Sequence, residues 1–198
     1  MISGSLRSRA YLQMLAHHNL VPPEIILLQP RHKGPPLYSL SPADRVALET
    51  LLEMSIAFDP EEDEAVTCQR LGLKPRLLVT DDFNHPETRR AVLALPGDTL
   101  LISPAGILRQ NLLDCGKRFL HLHPGRLPQY RGSTTFYYSL LEEKSLSCSA
   151  FLLSEALDSG PVLHVKHLSQ VTTRLDIDSL LDPLLRAATL VELLKQNP

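Results

Sequence analysis

The feature that most constrains this chain is an alternation. Short apolar runs, too short for buried helices, are separated by segments whose apolar residues recur at helical spacing. EIILLQ (24–29) is such a run, preceded by Pro22-Pro23 and stopped at Pro30. It reads as a buried strand. RLLVTD (76–81) and DTLLIS (98–103) read as two more. Between the runs lie helical patterns with start signals. SPADRVALETLLEM (41–54) has Ser41 as N-cap and Pro42 at the first helical position, and HPETRRAVLAL (85–95) has Pro86 at its start. Strands that alternate with helices predict a mostly parallel sheet covered by helices on both faces, and so an α/β domain.

The second half continues the pattern. STTFYYSLLEEK (133–144) puts Phe136, Tyr137, Leu140 and Leu141 on one helical face, which predicts that the aromatic pair is core. SLSCSAFLLSE (145–155) and VLHVKHLSQ (162–170) read as strands joined through ALDSGP (156–161). Leu180, Leu184, Leu185, Val191 and Leu194 mark a terminal helix that Pro183 starts or kinks. The acidic stretch 55–72 reads as loop or short helix. The Pro/Gly-rich insertion 30–40 is too short to separate two domains, so residues 1–198 are expected to form one. At the start, MISGSLRSRAYLQML passes almost at once into a turn and a helix, so the first strand is expected to be short or missing.

Composition excludes several classes of function. A chain of 198 residues that is 43% hydrophobic can bury a sizeable core. A net charge of −2 argues against a protein built to neutralise nucleic-acid phosphates. Arg31-His32-Lys33 is read as a solvated loop. Cys68, Cys115 and Cys148 are scattered and lack CxxC spacing, so neither a disulfide framework nor a metal site is expected. A reducing, cytoplasmic location is the default. No run approaches the ~18 apolar residues of a membrane span, and no secretory signal is visible.

The chemistry concentrates in FLHLHPGRLPQYRG (119–132). His121 and His123 lie two apart on a strand, so both side chains leave the same face. Pro124-Gly125 then ends the strand and leaves His123 at the mouth of the sheet, where ligands of open α/β sheets collect. Downstream, Asp158 sits in the turn Leu157-Asp158-Ser159-Gly160-Pro161. A carboxylate there can fix an imidazole tautomer. A capped turn, with Asp158 bonded to its own backbone, is the alternative reading.

Taken together these segments resemble the formyltransferase family: glycinamide ribonucleotide, methionyl-tRNA and sugar N-formyltransferases. That family carries Asn-x-His-x-Ser/Gly-x-Leu-Pro, often followed by Tyr-Arg-Gly, and a later Leu-Asp-x-Gly-Pro loop. Here the matching residues are His121 to Pro128, Tyr130-Arg131-Gly132 and Leu157 to Pro161. The resemblance runs from about residue 98 to 170. It implies a Rossmann-like domain that transfers formyl from N10-formyltetrahydrofolate to an amine. His123 would contact the oxyanion and handle a proton, and Asp158 would hold His123 or a bridging water. His121 stands where the family has Asn, and under this resemblance its ring N–H would be a second oxyanion donor. The strand before Asp158 also departs from the family, with Ser147, Ser149 and Ala150 in place of Gly and β-branched residues.

The resemblance further implies that Ser103, Ala105, Gly106, Ile107 and Leu108 form the folate-side loop. Leu157 and Gly160 would flank the pterin from the other side. Arg126, Gln129, Tyr130 and Arg131 would meet the acceptor, although solvated surface arginines are an equal reading. Without the extra C-terminal domain of the tRNA-formylating members, the expected acceptor is a small-molecule amine, with a nucleotide-linked amino sugar first by analogy. No nucleic-acid or membrane partner is expected, and a homodimer is one assembly this reading allows. A non-catalytic or folate-sensing relative, and a formyltetrahydrofolate hydrolase, are the alternatives.

Overall fold

The computed structural model describes residues 2–29, 39–80, 82–103, 106–169, 171 and 174–196. Arg31, His32 and Lys33, most of the 30–40 insertion, and Ala105 lie outside them. In chain order the first half runs β1 (Ile2–Ser3), α1 (Leu6–His17), β2 (Ile26–Gln29), α2 (Pro42–Leu52), α3 (Glu64–Arg70), β3 (Arg76–Val79) and α4 (Pro86–Leu93). The second half runs β4 (Thr99–Leu101), α5 (Gln110–Leu113), β5 (Arg118–His123), α6 (Thr135–Glu143), β6 (Leu146–Leu152), β7 (Val162–Leu168) and α7 (Asp182–Gln196).

The helix starts follow from local chemistry. Ser41 Oγ accepts the Asp44 N–H at 3.1 Å, and Pro42 follows it in the first turn. Asp63 accepts the Ala65 N–H at 2.7 Å and starts α3, the short helix of the acidic stretch. Such caps satisfy backbone donors that have no partner inside the helix. Pro183 starts α7 rather than kinking it. A wide turn at Ile177–Leu181 precedes it, in which the Leu181 N–H reaches back to the Asp176 carbonyl at 3.1 Å.

The strands form two ladders. β1, β2 and β3 pair in parallel in that order. In the other ladder β4 and β5 are parallel, while β6 pairs antiparallel with both β5 and β7. The sheet is therefore mixed at its β6–β7 end. The link from Leu152 to Val162 is too short for the crossover that parallel neighbours require. The first strand is short, as its sequence predicts.

Alternation along β5 divides the core. Leu120 and Leu122 belong to a cluster with α1, α6 and α7, including Tyr11, Met14, Phe136, Leu184 and Leu185. Phe119 belongs to a second cluster with Ile26, Leu28, Val92 and Leu112 on the α4–α5 side. Helices thus cover both faces. Each fully buried Leu contributes about 1.5–3 kcal/mol of hydrophobic stabilisation. The β5 tip is fixed from both sides before its histidines are considered.

One expectation fails. Phe136 is buried, but Tyr137 is 41% exposed and Leu141 is 83% exposed. α6 lies on the surface, so only one narrow stripe of it meets the core. Tyr137 is a wall residue of a cavity, not a core residue.

Candidate active site

β5 ends at His123, and the turn after it is held by a residue of the neighbouring strand. Ser149, directly opposite His123 in the antiparallel register, is fully buried. Its hydroxyl donates to the Gly125 carbonyl at 2.7 Å and accepts the Leu127 N–H at 3.0 Å. One side chain therefore satisfies two backbone groups of a buried turn. The chain next folds back so that the Tyr130 carbonyl lies over the strand end. Only glycine fits beneath it: a Cβ on Gly125 would stand 2.9 Å from both that carbonyl oxygen and Thr135 Oγ1.

The Tyr130 carbonyl fixes the tautomer of His123. A carbonyl only accepts, so the Nε2–H of His123 donates to it, at 2.7 Å. Nδ1 then faces Asp158, whose Oδ2 is 3.6 Å away. Asp158 holds a left-handed conformation with φ of 48°, which Asp tolerates, and its Oδ2 accepts the Gly132 N–H at 2.9 Å. The carboxylate is anchored by backbone on one side and turned to the imidazole on the other. Burial holds His123 below its ordinary pKa, against the opposing pull of Asp158 and the Tyr130 carbonyl.

His121 lies beside it. The edges of both imidazoles meet Phe151, with ring centroids 5.9 Å and 6.3 Å away. Burial pushes the His121 pKa down to about 3, the nearby charges of Arg186, His123 and Arg7 add to the effect, and a backbone hydrogen bond with Ile102 opposes it. The imidazole is neutral at any physiological pH. Its Nδ1 is buried and has no hydrogen-bond partner among the described residues. A buried polar atom of this kind calls for an explanation, and this one lies at the cavity.

These side chains share a cavity of about 520 Å³ at the strand ends. Gly106, Ile107 and Leu157 line one part of it, and Ile107 and Leu157 are exposed apolar groups at its rim. Thr134, Tyr137, Ile177, Asp178 and Asp182 form another part, with Arg7 and Arg186. Tyr137 donates its hydroxyl to Asp178 at 2.8 Å. Thr134 caps α6 at φ of 59°, a conformation costing about 1–3 kcal/mol for a β-branched residue. Among the described residues, no cluster of His, Cys, Asp and Glu is arranged to hold a metal ion.

The sequence-predicted residues divide. His121, His123, Asp158, Gly106, Ile107 and Leu157 come together around the cavity. Ser103 is buried, its hydroxyl 2.5 Å from that of Ser8, and Leu108 belongs to the α4–α5 core. Gly160 packs against the Leu152 carbonyl. Arg126, Gln129 and Arg131 are exposed and do not line the cavity. Tyr130 contributes its carbonyl, while its hydroxyl donates to Glu142 and Glu143 at 2.9 Å each.

The residues that sequence reasoning missed are Ser149, Arg7, Tyr137, Asp178, Asp182 and Arg186. Arg186 alone left a signal, as the one charge in PLLRAATLV (183–191).

No protein-family model matches the chain. Among curated proteins it is similar to the methionyl-tRNA formyltransferase of Campylobacter curvus, with 36% identity over 80 residues. Those residues are 39% of this chain and 26% of that protein. It is also similar to the Wolbachia pipientis methionyl-tRNA formyltransferase, 26% identical over 71% of this chain and 45% of that protein. The chain thus spans less than half the length of these relatives. Among solved structures, the phosphoribosylglycinamide formyltransferase of Campylobacter jejuni matches with a TM-score of 0.61 and 12% identity, over 98% of this chain and 93% of that one. A formyltetrahydrofolate deformylase of Pseudomonas syringae matches with a TM-score of 0.59 and 14% identity, over 97% of this chain and 57% of that one. At such identities the structural likeness concerns the fold.

Proposed function

We propose that this formyltransferase-family chain transfers a formyl group from N10-formyltetrahydrofolate to the amine of a small molecule, residues 1–198 forming one catalytic domain. The observation that carries the reading is the cavity itself, where His121, His123 and Asp158 converge at the strand ends. The amine attacks the formyl carbon, an oxyanion develops, and N10 of the folate leaves with a proton.

The residues divide this work. The Nε2–H of His123 is committed to the Tyr130 carbonyl, so Nδ1 is its proton-exchanging atom. The 3.6 Å gap to Asp158 is longer than a direct hydrogen bond. Such bonds are often long before substrate arrives and tighten in the reacting complex. His121 offers a neutral ring whose Nδ1 has no partner among the described residues. In the tautomer with hydrogen on that atom, it donates to the developing oxyanion, the task of the Asn that it replaces. Preorganised donors of this kind act strongly because the site need not reorganise as charge develops. The apolar rim formed by Ile107 and Leu157 suits the flat pterin of the folate. The Thr134–Tyr137–Asp178 wall is left for the acceptor, and a nucleotide-linked amino sugar is the first class to screen.

The test is tetrahydrofolate release with candidate amines. His121→Ala is expected to lose about 10²- to 10³-fold in kcat, and His121→Asn to stay within about tenfold of the parent. His123→Ala is expected to lose at least as much as His121→Ala. Release that needs no amine would identify a hydrolase. No release by the parent protein with any amine would leave a folate-sensing role. Wild-type activity in both His121 variants would remove His121 from the chemistry.

A further inference from the structure

We infer that Arg186 is a positioning residue for this site, holding the β5 segment between His121 and His123 against α7 and setting a cation beside His121. Arg186 comes from the middle of α7 and is only 4% exposed. One nitrogen of its fork donates to the carbonyl of Leu122, the residue between the two histidines. Its Nε donates to Asp182 Oδ1 at 2.8 Å. The other oxygen of Asp182 lies 3.6 Å from Arg7 Nε, on α1. Three elements therefore meet at one guanidinium–carboxylate–guanidinium group, and all three side chains line the cavity with the histidines.

A burial this complete calls for a reason. Ala187, Ala188, Leu190 and Val191 on the same helix are core residues, and an apolar residue would pack beside them without desolvating a charge. The Leu122 carbonyl, however, lies in the strand that aims both histidines. A bond to it sets the height and rotation of the β5 tip, and small misplacements of reacting groups are costly in rate.

The charge has a second effect. His121 faces Arg186 and Asp182 from α7, Arg7 from α1 and His123 from its own strand, with Asp158 and Asp178 on the other walls of the cavity. Arg186 is the foremost of the charges that disfavour protonation of His121, with burial as the larger cause. Together with burial, the arrangement keeps His121 neutral beside the cavity. Its catalytic consequence rests on the function proposed above, but its structural half does not.

The experiment is an imidazole ¹⁵N NMR titration of His121 from pH 4 to 8, with the signal assigned by its loss in His121→Asn. In the parent protein the ring is expected to remain neutral over most of this range. Arg186→Met is expected to shift its titration to higher pH, and Arg186→Lys, which keeps a cation, to leave it neutral. In turnover, Arg186→Lys is expected to lower kcat by about 10²-fold through the lost Leu122 contact, with the KM for folate little changed.

Should Arg186→Met not fold, Arg7→Met removes the other cation and is expected to move the titration in the same direction by less. An unmoved His121 titration in folded Arg186→Met, or in Arg7→Met if that is the folded variant, overturns the electrostatic part. Wild-type kcat in Arg186→Lys overturns the positioning part. If the parent shows no turnover, the function proposed above fails. The Leu122 contact is then read from the backbone ¹⁵N shifts of His121 to His123 in Arg186→Lys. They are expected to move, and unmoved shifts overturn the positioning part.

Discussion

Gly160→Ala tests how the Asp158 loop is held. Gly160 approaches β6 so closely that a Cβ added there would stand 1.7 Å from the Leu152 carbonyl oxygen and 2.9 Å from its carbon. Real Cβ contacts essentially never fall below 3.0 Å, so the chain must retreat by roughly 1.3 Å. The next residue makes this retreat expensive, because the Pro161 carbonyl accepts the Leu152 N–H at 3.0 Å. The same displacement stretches that bond beyond useful length. Losing it costs about 0.5–1.5 kcal/mol, and overpacking costs typically about 1–3 kcal/mol, so the sum is about 1.5–4.5 kcal/mol. Two residues earlier sits Asp158, whose contact with His123 moves with the loop. Turnover is therefore expected to fall by one to two orders of magnitude, as for a misplacement of about 1 Å. Urea unfolding reads the first effect as a lower midpoint at unchanged slope, and tetrahydrofolate release reads the second. Gly97→Ala is the control: φ there is 74°, but nothing lies within 4 Å of the added Cβ. It carries only the left-handed backbone penalty of about 1–2 kcal/mol. The reasoning is refuted if Gly160→Ala is no less stable than Gly97→Ala and turns over like the parent.

Three further outcomes are expected. At pH 5 the unfolded chain protonates His121, whose ordinary pKa is 6.5, while the folded chain, with that pKa near 3, does not. Stability is therefore complete above about pH 6.5 and falls as pH drops toward 3. The loss from this one group is about 2 kcal/mol at pH 5, visible in urea midpoints at pH 7.5 and 5.0 and reduced in His121→Asn. Leu122→Ala, at a fully buried position on β5, is expected to lose about 2–5 kcal/mol in calorimetry. Ser149→Ala orphans the Gly125 carbonyl and the Leu127 N–H. It is expected to cost about 1–3 kcal/mol in urea unfolding and to lower turnover, since the loop over His123 loses its anchor.

The local plan was legible in the sequence because it is written in short-range chemistry. EIILLQ between prolines is β2, and Ser41-Pro42 starts α2. The pairing of His121 with His123 was legible for the same reason: a period of two puts both on one face. What the α6 pattern left undecided was how much of that face would be covered. Tyr137 and Phe136 look alike in the sequence, but the core reaches only Phe136, and the exposed Tyr137 turns to Asp178 across the cavity.

The remaining decisions belong to tertiary structure. That Asp158 would stand beside His123 was an expectation from the sequence, and the two lie 3.6 Å apart, but the Tyr130 carbonyl that selects the imidazole tautomer is a backbone group with no residue signature. Ser149 reads as one small strand residue among several until the register sets it opposite His123. Arg186 stands out in its apolar helix, but nothing near it in the chain names its partner, a carbonyl 64 residues away. Helical and strand periodicities are set by neighbours within a few residues. The tautomer, the buried charge and the turn anchor depend on which distant surfaces meet, and that is decided only when the whole core closes.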